Sequence, residues 1–199
     1  MNTAIFIILA YFLGSIPFGL IIGRLVRGID VRQHGSGNVG ATNVFRVVGK
    51  KWGILVLALD ALKGYAAVAI PVWANAQVAP PVLILTGIVA ILGHSFSIWL
   101  KFKGGKGVAT SLGVFLGLAA YPTILAFAVF LLVFMVSRII SISSLSAAIV
   151  FPIILFCVYR SEALFIWLFP VSLLLAAFIF YTHRANILRL AKGEEKKLF

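Results

Sequence analysis

Val108 to Val136 reads VATSLGVFLGLAAYPTILAFAVFLLVFMV, 29 residues without a charge and with one proline, Pro122. A stretch of that length is either one strongly tilted membrane helix or two short ones meeting near the proline. The choice decides on which side of a membrane everything downstream lies. Upstream, Arg24, Arg27, Arg32, Arg46, Lys50 and Lys51 share one loop, Pro71 to Pro81 is uncharged, and Lys101, Lys103 and Lys106 close the next apolar run. Basic loops stay in the cytoplasm. The loop from Arg24 to Lys51 is then inside, Pro71 to Pro81 outside, and Lys101 to Lys106 inside again. One helix over 108–136 would carry the tail, with Arg184, Arg189, Lys192, Lys196 and Lys197, to the outside; two spans return it to the cytoplasm. With two spans, 15 of the 17 basic residues lie on the inner side, with Lys63 within a span and only Arg160 outside.

The expectation is therefore an all-α polytopic integral membrane protein with seven transmembrane helices, near 3–22, 52–71, 81–100, 107–121, 123–137, 139–159 and 163–182. Its N-terminus is outside and its C-terminus cytoplasmic. Spans four and five are expected to be short, at about 15 residues or 22 Å against a hydrocarbon core of about 30 Å.

Composition agrees with a bilayer as the solvent. Hydrophobic residues make up 62% of the 199 and charged ones 11%, and the mean hydropathy is +1.14, far from the balance of a water-soluble domain. Seven spans leave no room for a second, soluble domain, so 1–199 reads as a single membrane-embedded domain. A net charge of +12 would suggest nucleic acid in a soluble protein. Here the basic residues sit in short clusters between apolar runs, which argues against a nucleic-acid partner. The segment from Thr3 to Ile22 has no basic residue before it and no small-residue cleavage site after it, so it is expected to be retained as a span. The lone Cys157 lies in an apolar run, where no internal disulfide is possible. The five acids are Asp30, Asp60, Glu162, Glu194 and Glu195, and the histidines are His34, His94 and His183. None of these makes a metal set, so no metal and no cofactor is expected.

Three polar segments interrupt the apolar pattern. In Gly35-Ser36-Gly37-Asn38-Val39-Gly40-Ala41-Thr42-Asn43, glycines alternate with hydrogen-bonding side chains and Arg46 follows. This is either an ordinary glycine-rich turn or an anion nest leading into a helix, with Arg46 as a two-pronged cation for phosphate. In Lys103-Gly104-Gly105-Lys106-Gly107, two lysines stand among three glycines where a helix begins. That is either a membrane anchor or a place for backbone N–H groups and ammonium charges to meet a dianion. Third, His183 and Asn186 are i and i+3 and share a face if the last span continues as a helix, although a basic tail also serves as a lipid-headgroup anchor. Within the spans, Asp60 and Lys63 are expected to pair, and His94 either lines a site or makes a packed polar contact. The His-x4-Asp dyad expected of acyltransferases that use thioester donors is absent.

Taken in order, these motifs resemble the acyl-phosphate-dependent glycerol-3-phosphate acyltransferase family of bacterial membranes. The resemblance rests on Gly-Ser-Ile-Pro-Phe-Gly at 14–19, the loop 35–43 with Arg46, Gly93-His94 ahead of Lys-Gly-Gly-Lys-Gly at 103–107, and His183 with Asn186. It implies transfer of an acyl group from acyl phosphate to sn-glycerol 3-phosphate at the cytoplasmic face of the bacterial inner membrane, with membrane lipids as surroundings. It carries Ser36, Arg46, Lys106, His183 and Asn186 over as catalytic residues. The segments around them, namely Gly35, Gly37, Asn38, Gly40, Thr42, Asn43, Lys103, Gly104, Gly105 and Gly107, are implied to bind substrate, and Glu195 to support structure. The oligomeric state stays open, a monomer being one of the options. Either His183 or the departing phosphate takes the proton of the acceptor hydroxyl. A small anion transporter is the alternative from another class, although such proteins place their sites near the midplane of paired repeats.

Overall fold

The computed structural model describes residues 3–74 and 77–199, and the regular structure among them is helical. Residues 1–2 and 75–76, the latter in the uncharged stretch expected outside, lie beyond that description. Six helical stretches are long and apolar enough to cross a membrane: Thr3–Arg27, Lys50–Trp73, Pro80–Leu100, Ala120–Ser137, Ile140–Tyr159 and Phe165–Thr182. Val108–Leu118 is apolar but has only 11 residues, about 16 Å of helix. The chain divides into two compact units, Met1–Leu118 and Ala119–Phe199.

The first unit opens with α1 (Thr3–Ser15) and α2 (Phe18–Arg27), where one unbroken span was expected. Pro17 explains the difference, since it lacks an N–H and its ring pushes the preceding residue out of the helical region. The carbonyls released at the break are taken up by side chains from elsewhere in the unit. Lys63 Nζ donates to the Ile16 carbonyl at 2.8 Å, and Ser97 Oγ donates to that of Ser15 at 2.7 Å. In a bilayer such compensation is obligatory. The short α3 (Ala41–Val47) leads into α4 (Lys50–Trp73). Then α5 (Pro80–Ser95) begins on two prolines, which cost nothing in a first turn. It is followed by a 3-10 turn at Ile98–Leu100 and by α6 (Val108–Leu118). α4 packs on α6 and α1 on α5. The α4–α6 contact is backbone on backbone: a methyl group on Gly64 would lie 2.1 Å from the Thr110 carbonyl oxygen, and one on Gly113 1.7 Å from that of Ala61. Small residues at such a seam give the close packing that drives helix association in lipid.

The second unit stacks α7 (Ala120–Ser137) on α8 (Ile140–Tyr159), and α8 on α9 (Phe165–Thr182). α10 (Arg184–Ala191) follows α9. Here the expected lengths need correction. The break falls at Ala119, whose φ is −153°, and Pro122 sits in the first turn of α7. A first-turn N–H has no intrahelical partner to lose, so the proline does not end a helix there. α7 therefore has 18 residues, and of the two helices expected to be short α6, with 11, is the one that is.

Candidate functional site

In the first unit, Asp30 organises the approach to the loop. Its carboxylate accepts from the Arg32 backbone N–H at 3.0 Å, capping the 3-10 turn Val31–Gln33, and from Arg32 Nε at 2.9 Å. The Arg32 guanidinium holds the Asp30 carboxyl down at about 2, with Arg24 adding a smaller electrostatic pull. The one acid of this loop is thus committed to Arg32, with Arg24 nearby.

Gly35 and Gly37 have φ of +62° and +71°, a conformation that side chains resist. The turn they allow wraps around Asn43, which is 1% exposed. Its Nδ2 donates to the carbonyls of Val31 and His34 at 2.8 and 3.0 Å, and its Oδ1 accepts the Ser36 N–H at 2.8 Å. Asn43 therefore spends its amide on the loop's own backbone, and Ser36 is left at the exposed surface. Asn38 Oδ1 similarly accepts the Gly40 N–H at 2.8 Å just before α3. Thr42 and Arg46 are i and i+4 on α3, and Arg46 is exposed.

The lysine–glycine loop is built against the end of α5. Lys101 and Phe102 both take left-handed backbone, with φ of 52° and 61°, which turns the chain back. The Gly104 and Gly105 N–H groups then donate to the Ser95 and His94 carbonyls at 2.9 and 3.1 Å. At a helix end these carbonyls have no intrahelical partner, and the loop supplies one. A methyl group on Gly104 would lie 2.0 Å from the His94 carbonyl oxygen, so no larger residue fits. After Gly107, at φ +85°, α6 starts with half-buried Lys106 just ahead of it. The buried Ser95, Thr110 and Ser111 hydroxyls beside this turn have no hydrogen-bond partner.

Sequence reading missed one connection here. Lys63 Nζ lies 2.8 Å from Asp60 Oδ1, a charge contact without hydrogen-bond alignment, and His94 Nδ1 lies 3.6 Å from the same oxygen. The pairing of Asp60 with Lys63 was legible from i,i+3 spacing; that of Asp60 with His94, 34 residues on, carried no local signal. A separate apolar groove of about 400 Å³ runs between α1 and α4, with Phe6, Leu9, Leu13, Ile70 and Trp99 on its walls.

In the second unit His183 and Asn186 are both buried, at 2% and 7% exposed. The helix does not run through them: α9 stops at Thr182 and α10 starts at Arg184, with His183 as the joint. His183 Nδ1 lies 2.8 Å from the Ile179 carbonyl. A carbonyl only accepts, so Nδ1 carries the hydrogen and Nε2 is the acceptor nitrogen of the neutral ring. Glu195 gathers the rest. Its Oε1 accepts from Ser141 Oγ at 2.8 Å and from Asn186 Nδ2, and its Oε2 accepts from Arg189 Nε at 2.7 Å. Burial favours the neutral acid, but the three donated hydrogen bonds outweigh it and hold the carboxyl below the ordinary glutamate value. Since a carboxylate only accepts, the Asn186 amide must turn its NH2 towards Glu195. Glu194, the neighbouring acid, is exposed.

A family model described as glycerol-3-phosphate acyltransferase matches residues 4–193. The chain is 50% identical over 188 residues to a glycerol-3-phosphate acyltransferase of Trichlorobacter lovleyi, covering 94% of this chain and 93% of that one. It is also similar to a crystal structure of PlsY (YgiH), an integral membrane glycerol 3-phosphate acyltransferase, in its glycerol 3-phosphate form. That likeness has a TM-score of 0.88 and 40% identity, with 98% of this chain and 94% of the other covered. The lysophosphatidic acid form of the same enzyme matches with a TM-score of 0.86 and the same identity and coverage.

Proposed function

The chain belongs to the glycerol-3-phosphate acyltransferase family, and on that premise we propose that it moves a fatty acyl group from acyl phosphate to the 1-position of sn-glycerol 3-phosphate. The products are lysophosphatidic acid and inorganic phosphate. The acceptor hydroxyl oxygen bonds to the acyl carbon, the bond from that carbon to the phosphate oxygen breaks, and phosphate leaves with the electron pair. The observation that carries this reading is the lysine–glycine loop folded onto the carbonyl end of α5, in a chain 40% identical to an acyltransferase crystallised in its glycerol 3-phosphate form.

Two phosphate-bearing reactants repel, so cations must meet them before the hydroxyl can approach the acyl carbon. Arg46, Lys103 and Lys106 take that role. Ser36 hydrogen-bonds substrate rather than forming an acyl-enzyme, because nothing in the local sequence activates it as a nucleophile. Asn186 presents its amide from the Glu195 network. The proton goes to His183 Nε2 or to the departing phosphate itself, which is basic enough to need no stronger partner. The apolar groove beside α1 and α4 has the wall chemistry of an acyl-chain site.

On the same premise the chain is one domain of the bacterial cytoplasmic membrane, with α6 as a short fourth span among seven. The N-terminus is outside, and the polar loops face the cytoplasm. The distribution of basic residues supports this orientation. The anion-transporter alternative has no specific observation in its favour.

The deciding experiment supplies the purified protein in detergent with labelled glycerol 3-phosphate and, in parallel, palmitoyl phosphate, palmitoyl-CoA or palmitoyl acyl carrier protein. Lysophosphatidic acid is expected from palmitoyl phosphate alone. Turnover with the thioesters and not with acyl phosphate would sink the donor assignment, and turnover with none would sink the activity.

A further inference from the structure

Asp60, Lys63 and His94 are 2%, 3% and 7% exposed, and no step of the acyl transfer uses them. Buried charges in a membrane-spanning helix are expensive, and an apolar trio of the same volume would pack α4 against α5 at less cost. The geometry shows what the trio holds. Lys63 is anchored on the Ile16 carbonyl at the helix break and on Asp60. Asp60 faces His94 Nδ1 at 3.6 Å. On the other side of the ring, a methyl group added to Gly105 would lie 2.1 Å from His94 Nε2, and the Gly105 N–H bonds to the His94 carbonyl at 3.1 Å. His94 thus touches the loop with both its backbone and its ring, one residue before Lys106.

We propose that His94 is a positioning residue for glycerol 3-phosphate binding: oriented by the Asp60–Lys63 pair, its imidazole is the surface on which Gly105 rests, and this sets the placement of Lys106. The proposal rests on reading the lysine–glycine loop as the acceptor-phosphate site. It predicts that His94 and Gly105 act as a coupled unit, and that disturbing them is felt in the KM for glycerol 3-phosphate more than in kcat or in the KM for acyl phosphate.

The test compares wild type, Gly105→Ala, His94→Ala, the Gly105→Ala/His94→Ala double variant and Asp60→Asn, with folding checked by gel filtration. Gly105→Ala should raise the KM for glycerol 3-phosphate on the order of tenfold, since a displaced loop misplaces its cation. Removing the ring in the double variant makes room for the methyl group. The double variant should then be less impaired than the product of the two single effects, as contacting residues are. Asp60→Asn keeps the shape but not the charge, and should give a smaller rise in the same KM; it carries the test if His94→Ala does not fold. A wild type that turns over while the folded variants keep its KM, or a double variant whose effects simply multiply, overturns the assignment and leaves the activity standing. A wild type without turnover overturns both.

Discussion

Replacing Glu195 with alanine should destabilise the second unit by about 3 kcal/mol. The figure comes from its three hydrogen bonds. Those from Ser141 and Asn186 arise from donors that are 3% and 7% exposed, so each loses about 1 kcal/mol when its acceptor goes and water cannot fully replace it. Arg189 is 42% exposed on its side chain, which screens the ion pair and limits its share to about 1 kcal/mol. For a chain of this size, 1 kcal/mol moves the unfolding midpoint by about 2–4 °C, so Glu195→Ala should lower it by about 6–12 °C. Glu195→Gln keeps one acceptor oxygen for Ser141 and Asn186 and loses chiefly the arginine, so about a third of the effect is expected. The assay is thermal denaturation in detergent followed by circular dichroism, repeated across pH. Because the folded carboxyl titrates below its unfolded value of about 4.3, its stabilisation is fully present above that value. It is lost as pH falls through the lower, folded value. The gap between wild type and Glu195→Gln should therefore be constant near neutrality and close in acid. Equal midpoints for wild type and Glu195→Ala at neutral pH, or a gap that widens in acid, would refute the reasoning.

Gly64→Ala should lower the midpoint through a cost of about 1–3 kcal/mol, because the methyl group meets the Thr110 backbone carbonyl and not a movable side chain; an unchanged midpoint would place the α4–α6 seam further apart. Lys106→Ala should raise the KM for glycerol 3-phosphate at least about tenfold, the equivalent of losing one charged contact, and an unaltered KM in a folded variant would move the phosphate site elsewhere. Ser36→Ala should slow turnover about tenfold, as befits one lost hydrogen bond; trapping an acyl group on Ser36 of the wild type would instead establish a covalent route. Lys196→Cys, made with Cys157→Ser, should react with an impermeant thiol reagent in inside-out vesicles only, and labelling of intact cells would reverse the orientation.

Much of this architecture can be read from the sequence because lipid imposes long apolar runs, and the six long helical stretches fall where those runs fall. The failures have physical causes. The break at Ile16 lies inside a continuously apolar segment, so hydrophobicity passes over it even though Gly-Ser-Ile-Pro spells out a helix stop. Pro122 misleads in the opposite sense, since a proline interrupts a helix interior and is harmless in a first turn. In the loops, the glycines announce a turn, but residue type alone does not show which side-chain atoms close it. Asn43 and the side-chain oxygen of Asn38 make contacts within the loop, and only three-dimensional closure reveals this. Glu195 lies 54 residues from its Ser141 partner, a separation at which one sequence holds no trace of the pairing.

The features that resist reading are also connected. Pro17 breaks the first helix and releases a carbonyl that lipid cannot satisfy. Lys63 satisfies it and thereby brings a positive charge into the interior of the unit. That charge requires Asp60, one helical turn away. Asp60 in turn faces the ring of His94 at the end of α5, and His94 carries Gly105 on its carbonyl and against its imidazole. What looks at the sequence level like four unrelated irregularities is thus a single line of compensation from a helix break to the lysine–glycine loop. It also explains why the charges are tolerated: remove any one of them and the next polar group along is left buried without its partner, at a cost larger than that of keeping the whole set.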